Sequence, residues 1–380
     1  MKKFLLITAI AILVALGITF YQRLTGQEAP TTPKTTDQTI PSSNSSEPIS
    51  VIVENLDTPW ALAFLPNGNL LITERSGRLS ILSEGQISQI ANIENATEYG
   101  EGGLMGVAVH PNFDSNNFIY LYYTFSSNDQ RTLNRVVRYR LSNNSLSNEQ
   151  IIVDDIPGAI YHNGGRIIFG PDNNLYITTG DSNNPSLSQN TNSLAGKILR
   201  VNDQGQPVSG NPFSSAQGKP SGDPRILSYG HRNPQGIAFS QSNMLFSTEH
   251  GRSGALSGLD ELNIIESGRN YGWPEIEGNE QRAGMVTPII NSGADDTWAP
   301  GGAAHFNGSI FFTGLRGSAL YEYEISTGTL SEHFKDEYGR LRDVVLGPDN
   351  HLYLTTSNRD GRGSPKDSDD KIIRIDPQSL

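Results

Sequence analysis

Residues 166–181 read RIIFGPDNNLYITTGD. An apolar run ending at Phe169 enters a turn made by Gly170, Pro171, Asp172 and Asn173, and a second apolar run leaves it at Leu175. Short runs of branched and aromatic residues, punctuated by Pro, Asn, Asp and Gly, are the pattern of two strands joined by a tight turn. The pattern recurs as ALAFLPNGNLLITE from Ala61, GVAVHPNFDSNNFIYLYYT from Gly106, GIAFSQSNMLFSTEHG from Gly236, GGAAHFNGSIFFTG from Gly301 and DVVLGPDNHLYLTTSN from Asp343. Phe64, Phe169, Phe239, Ala304 and Leu346 each stand six residues before a Leu or Ile of the second run. Val109 stands ten before Ile119, so that turn carries an insertion. Further strand-like runs lie between the copies, among them Arg78–Leu82, Val136–Leu141, Lys197–Val201, Leu320–Ile325 and Ile372–Ile375. Four-stranded units repeating every ~40–50 residues predict a propeller, and six units predict an all-β fold of six four-stranded antiparallel blades. A β-sandwich gives no reason for six matched copies. The steps between copies are 45, 60, 70, 65 and 42 residues, which places insertions in the third and fourth blades. Ile52–Val53 is expected to complete the last blade and close the ring.

The chain around this repeat has 380 residues, with 28 Lys+Arg, 40 Asp+Glu and a formal net charge of −12. That balance opposes phosphate recognition, so no nucleic-acid partner is expected. There is no Cys, which excludes a disulfide scaffold, a Cys-ligated metal and a thiol nucleophile. Lys2 and Lys3 precede an uncharged stretch from Phe4 to Phe20, the pattern of an export signal. Residues 1–25 are therefore expected to be a signal peptide or membrane anchor. Residues 26–50, rich in Ser, Thr and Pro, are expected to be a linker, and 51–380 the propeller. The expected location is periplasmic or otherwise extracytoplasmic, with any membrane contact made through residues 4–20.

Loops entering the inner strands of a propeller meet at one end of its channel, so polar residues there converge however distant in sequence. Glu101 precedes the second copy, and His162, Asn163 and Arg166 the third. His231, Arg232 and Asn233 precede the fourth, Trp298 the fifth, and Arg340 and Arg342 the sixth. Loops after the second strand return Asp181, Glu249, His250, Gly251, Arg252 and Arg359 to the same end. Arg forks suit carboxylates, so this mouth fits a planar polyanion. The segment from Glu249 to Tyr271 is rich in acidic residues, Asn and Gly, which suits either calcium or a Gly-rich surface loop. It lacks EF-hand spacing. Tyr161, Trp298 and Trp273 are candidates for stacking on a ligand face, or for rim and core packing.

The motifs GEGGLMGVAVHPNF, HNGGRIIFGPDNNLYITTGD, GHRNPQGIAF, STEHG, DELNII, NYGWP and GRLRDVVLGPDNHLYL together resemble the soluble quinoprotein sugar dehydrogenases, in particular the aldose sugar or glucose/sorbosone dehydrogenase family. The likeness runs from about Pro48 to Pro377. It implies a six-bladed propeller binding pyrroloquinoline quinone (PQQ) and Ca²⁺. The implied reaction is oxidation of an aldose at C1 to its lactone, with hydride passed to the quinone and electrons to an external acceptor such as a quinone, cytochrome or dye. On this resemblance the ligand face that Tyr161, Trp298 and Trp273 are candidates to stack on is a sugar's. On this resemblance His162 matches the general base, and Arg232 and Asn233 match residues contacting the quinone. Arg340 and Arg342 match those holding its carboxylates. The Gly251 and Arg252 carbonyls fall at the calcium that bridges to PQQ, and Glu261 and Tyr271 at a second, structural calcium site. Two positions depart from the pattern. Glu101 stands where glucose dehydrogenases carry a quinone-contacting Gln, adding negative charge beside an anionic cofactor. Leu315 stands where they carry a quinone-binding Lys, and the neighbouring Arg316 is the candidate to compensate. Two other readings compete: a metal-dependent lactonase, which needs several carboxylate or Asn side chains facing the channel, and a non-catalytic binding propeller.

Overall fold

Each of the six copies forms the two inner strands of a four-stranded antiparallel sheet, and six such sheets surround a channel. The computed structural model describes residues 47–213, 220–254 and 257–380. The innermost strands are Pro59–Phe64, Leu104–Val109, Ile167–Phe169, Pro234–Phe239, Pro300–Phe306 and Leu341–Leu346. They begin blades one to six in chain order. Blade six takes its outermost strand, Ile49–Val53, from the start of the domain, where it pairs with Ile372–Ile375. Ile49 and Ser50, expected in the linker, are thus sheet residues paired with Ile375 and Arg374. The expected signal or anchor segment lies outside the described residues, as do linker residues up to 46. Among the described residues no helix is long and apolar enough to cross a membrane.

The repeated turn has a repeated physical cause. Asn173, Asn243 and Asn350 have φ near +60°, and Gly68 and Gly308 near +87°. Asn and Gly tolerate that left-handed conformation best. In blade two the inserted turn is a short helix, Phe113–Asn116, ended by Asn117 at φ 58°. Close packing of the inner strands sets a second requirement. A Cβ on Gly106 would lie 2.2 Å from the Gly165 carbonyl oxygen, and one on Gly301 2.1 Å from that of Arg342. Only glycine lets neighbouring blades approach this closely around the channel.

The core consists of apolar clusters between blades, the largest joining blades one to three. Blade two absorbs its long step as strand length: its outer strands run Phe118–Ser126, Thr132–Ser142 and Ser145–Pro157. Blades three and four carry long connections, residues 180–196 and 202–225 and residues 250–260 and 266–289. A further excursion, residues 357–371 of blade six, was not marked by the spacing of the copies.

Candidate active site

At one end of the channel the inter-strand loops enclose a cavity of about 480 Å³. Glu101, Tyr161, His162, Arg232, His250 and Arg340 are on its wall. A second cavity, about 410 Å³ and set between blades five and six, adjoins it across Leu315, Arg316, Arg340 and Arg362.

His162 is held from three sides. Its φ is +60°, and the following Gly164 and Gly165 also have positive φ. The loop is pinned by Asn233 Oδ1, which accepts the Gly164 N–H at 3.0 Å, and by the Tyr122 hydroxyl, which donates to the Asn163 carbonyl at 2.8 Å. The His162 N–H donates to Glu101 Oε2 at 3.3 Å, and its carbonyl accepts the Ser182 N–H at 3.2 Å. Its ring Nδ1 lies 2.7 Å from Asp181 Oδ1. Asp181 is fully buried, and its other oxygen accepts the Trp273 indole N–H at 2.9 Å. A carboxylate oxygen only accepts, so Nδ1 carries the proton, and in the neutral ring the lone pair is then on Nε2, the tautomer a general base requires.

Arg232 is buried, donates to Ser253 Oγ at 2.6 Å and to the His250 carbonyl at 3.4 Å, and lies 5.4 Å from the Trp273 ring centroid. Burial lowers its pKa, and among the described residues it has no ion-pair partner. Arg340 pairs with Asp360 at 2.7 Å and donates to the Leu315 carbonyl at 3.1 Å. The Leu315 side chain is packed in the interior, whereas Arg316 is exposed on the wall shared by the two cavities and is unpaired among the described residues. Arg342 and Asn233 lie deeper than the cavity wall. Arg342 donates to Gln235 Oε1 at 2.5 Å, and burial pushes its pKa down to about 9. Its Nε, the Asn233 Nδ2 and the Arg252 Nε are buried without hydrogen-bond partners.

Several expectations are corrected by packing. Trp298 does not face the cavity. It is 3 % exposed, with Phe312 and Tyr321 at ring-centroid distances of 5.3 and 5.5 Å. Trp273 is occupied by Asp181 at its N–H and Arg232 at its face, so it orients the site. Tyr161 alone of the three aromatics is an exposed cavity wall. The Tyr271 hydroxyl donates to the Ile264 carbonyl at 2.6 Å and its ring stacks on His231, so the side chain is committed to packing. Glu261 is half-buried beside Glu249. Burial pushes its pKa up to about 8 while Asn263 and Gly278 donate to it. Among the described residues no group of three or more His, Cys, Asp and Glu is placed to hold a metal. The Gly251 carbonyl accepts no hydrogen bond among the described residues, and that of Arg252 takes only a long one, 3.4 Å from Gly258. Arg166 and Arg359 serve the frame: Arg166 pairs with Asp343 in the channel, and Arg359 donates to the Asp369 carbonyl. Sequence reasoning passed over Arg362, which pairs with Glu101 at 2.6 Å, and the partnership of Asp181 with His162.

The family model for glucose/sorbosone dehydrogenases matches residues 56–373. The chain belongs to that family. It is accordingly an oxidoreductase. It is 31 % identical to the aldose sugar dehydrogenase YliI of Escherichia coli K12, over 87 % of this chain and 93 % of that protein. It is also 31 % identical to quinoprotein glucose dehydrogenase B of Acinetobacter calcoaceticus, over 64 % of this chain and 56 % of that one. The PQQ-bound form of the aldose sugar dehydrogenase of Streptomyces coelicolor superposes with a TM-score of 0.77 at 36 % identity, covering 88 % of this chain and 98 % of that chain.

Proposed function

We propose that this member of the family is a PQQ- and calcium-dependent aldose dehydrogenase that oxidises the C1 hydroxyl of a sugar to a lactone. The observation that carries this reading is the Asp181-oriented imidazole of His162 on a cavity wall that also holds unpaired guanidinium groups. PQQ is a planar tricarboxylate. Among the described residues Arg232 and Arg316 are cations without carboxylate partners, and Asn233 Nδ2 and Arg342 Nε are buried donors without acceptors. These residues, with Arg340, fit such a group, and the carbonyls of Gly251 and Arg252 suit the hard oxygen site calcium prefers. When bound, PQQ would supply the hydride acceptor and Ca²⁺ a fixed positive charge beside it.

The protein's own groups then have distinct tasks. His162 Nε2 takes the C1 hydroxyl proton. Asp181 holds Nδ1–H and stabilises the imidazolium that results. Arg232 places a fixed cation in a largely dry wall, where it offsets negative charge developing in the cavity. Tyr161 is the exposed aromatic on the cavity wall that the sugar would meet. Electrons leave to an external acceptor, and we place the enzyme outside the cytoplasm on the strength of Lys2, Lys3 and the Phe4–Phe20 run. The test is a PQQ titration of the full chain with Ca²⁺, followed by visible absorption. Saturable binding that Arg232→Met weakens by about tenfold or more, the loss of one charge-assisted contact, is expected. Equal affinity in wild type and variant would remove Arg232 from the site.

A further inference from the structure

The Glu101 carboxylate is committed to protein partners on both oxygens. Oε1 accepts from Arg362 at 2.6 Å and Oε2 from the His162 N–H at 3.3 Å. Arg362 comes from the 357–371 excursion of blade six, 261 residues away in the chain. Its guanidinium lies 5.4 Å from the Tyr161 ring centroid. Burial alone would raise the Glu101 carboxyl, but the charges of Arg362 and His250, with hydrogen bonds from Arg362 and the His162 amide, outweigh it and hold the group at about 2. Glu101 is therefore a carboxylate at neutral pH, and its charge is offset by Arg362. Meanwhile His162 needs restraint. A non-glycine residue in the left-handed region costs about 1–3 kcal/mol and persists only where its surroundings over-determine it.

We propose that Glu101 and Arg362 are a positioning pair for the base: Glu101 fixes the main chain of His162, and Arg362, reaching across the mouth from blade six, fixes Glu101. This rests on His162 being the base, and it moves Glu101 from cofactor contact to positioning residue. Arg362 is half exposed, and exposed ion pairs add little stability. The consequence is therefore placement of the imidazole, where a shift of about 1 Å can cost about 10²-fold in rate.

The experiment uses the full chain as Arg362→Met, Arg362→Lys, Glu101→Gln and the double variant Glu101→Gln/Arg362→Met. Without cofactor or substrate, hydrogen–deuterium exchange of the peptide spanning residues 159–165 reports the His162 N–H. Exchange should quicken in Arg362→Met and recover in Arg362→Lys. Loaded with PQQ and Ca²⁺, Arg362→Met and Glu101→Gln should each lose about 10- to 100-fold in kcat, with sugar KM and PQQ Kd held within about twofold. The double variant should be no worse than the poorer single variant, because both changes break one link. A weakened PQQ Kd with kcat intact would make Glu101 a cofactor contact and overturn the proposal. Multiplying kcat losses, or unchanged exchange in Arg362→Met, would also overturn it. Should the wild type oxidise no sugar, the functional reading fails, and the exchange data still decide the pair.

Discussion

His162 Nδ1 lies 2.7 Å from the carboxylate of Asp181, which has no access to water, and that carboxylate is fixed in turn by Trp273. An imidazole so oriented presents one basic nitrogen to the cavity. His162→Gln keeps side-chain size and polarity but supplies no base, so kcat should fall by about 10²–10⁴-fold while PQQ binding is retained. Steady-state kinetics beside a PQQ titration checks this; near-wild-type turnover with PQQ bound would give the proton to another group. The placement of His162 and Arg232 at the channel mouth was legible in sequence because HNGGR and GHRNPQG are contiguous motifs. Arg362 was not, because its partner is 261 residues away and nothing in the repeat marks it. Trp298 was misread because an aromatic just before an inner strand looks alike in sequence whether its ring meets the cavity or, as here, Phe312 and Tyr321.

Blade three shows how an element serves the site. Lys197 begins its third strand and is fully buried, and its Nζ lies within hydrogen-bond distance of the carbonyls of Leu187, Ser188 and Ala195, at 2.8, 3.0 and 2.5 Å. It thereby pegs the 180–196 connection, which carries Asp181 at its second position. Burial holds its pKa down at about 7. A free lysine titrates near ~10.4, so between about 7 and 10 the unfolded chain binds the extra proton and the folded chain does not. Stability contributed by this group is then fully present above the unfolded value, and is lost as pH falls toward about 7. The stability of wild type relative to Lys197→Met should therefore rise with pH across that window. Urea unfolding at pH 7 and pH 9.5 measures it, and a constant difference would mean that the ammonium keeps its ordinary affinity for the proton. The strands themselves were readable from the six turns. The role of Lys197 was not, since a lysine opening a strand ordinarily faces water.

Across the whole molecule the ring is tied through its channel as well as between neighbouring blades. Asp343 of blade six pairs with Arg166 beside blade three at 3.0 Å and accepts the Leu62 N–H of blade one at 2.9 Å. Arg166 also donates to the Gln235 carbonyl of blade four at 3.0 Å and lies 4.5 Å from the Trp60 ring centroid. Asp343→Leu leaves a buried guanidinium without its partner, which should cost about 3–5 kcal/mol in urea unfolding. A loss within about 0.5 kcal/mol, as for a surface substitution, would mean that the blades hold one another without the channel network. Blade number and ring closure were legible because every blade repeats one pattern. The channel ties were not, because they join copies whose separation in sequence says nothing of their opposition in space. At this scale the proposal that the propeller frames a quinone-dependent sugar dehydrogenase is tested most directly by dye reduction with the full chain. A panel of aldoses would be offered with PQQ and Ca²⁺, against an EDTA-treated control lacking both. Reduction that requires the sugar and both additions is the expected result; PQQ bound to the protein with no reduction by any aldose would contradict it.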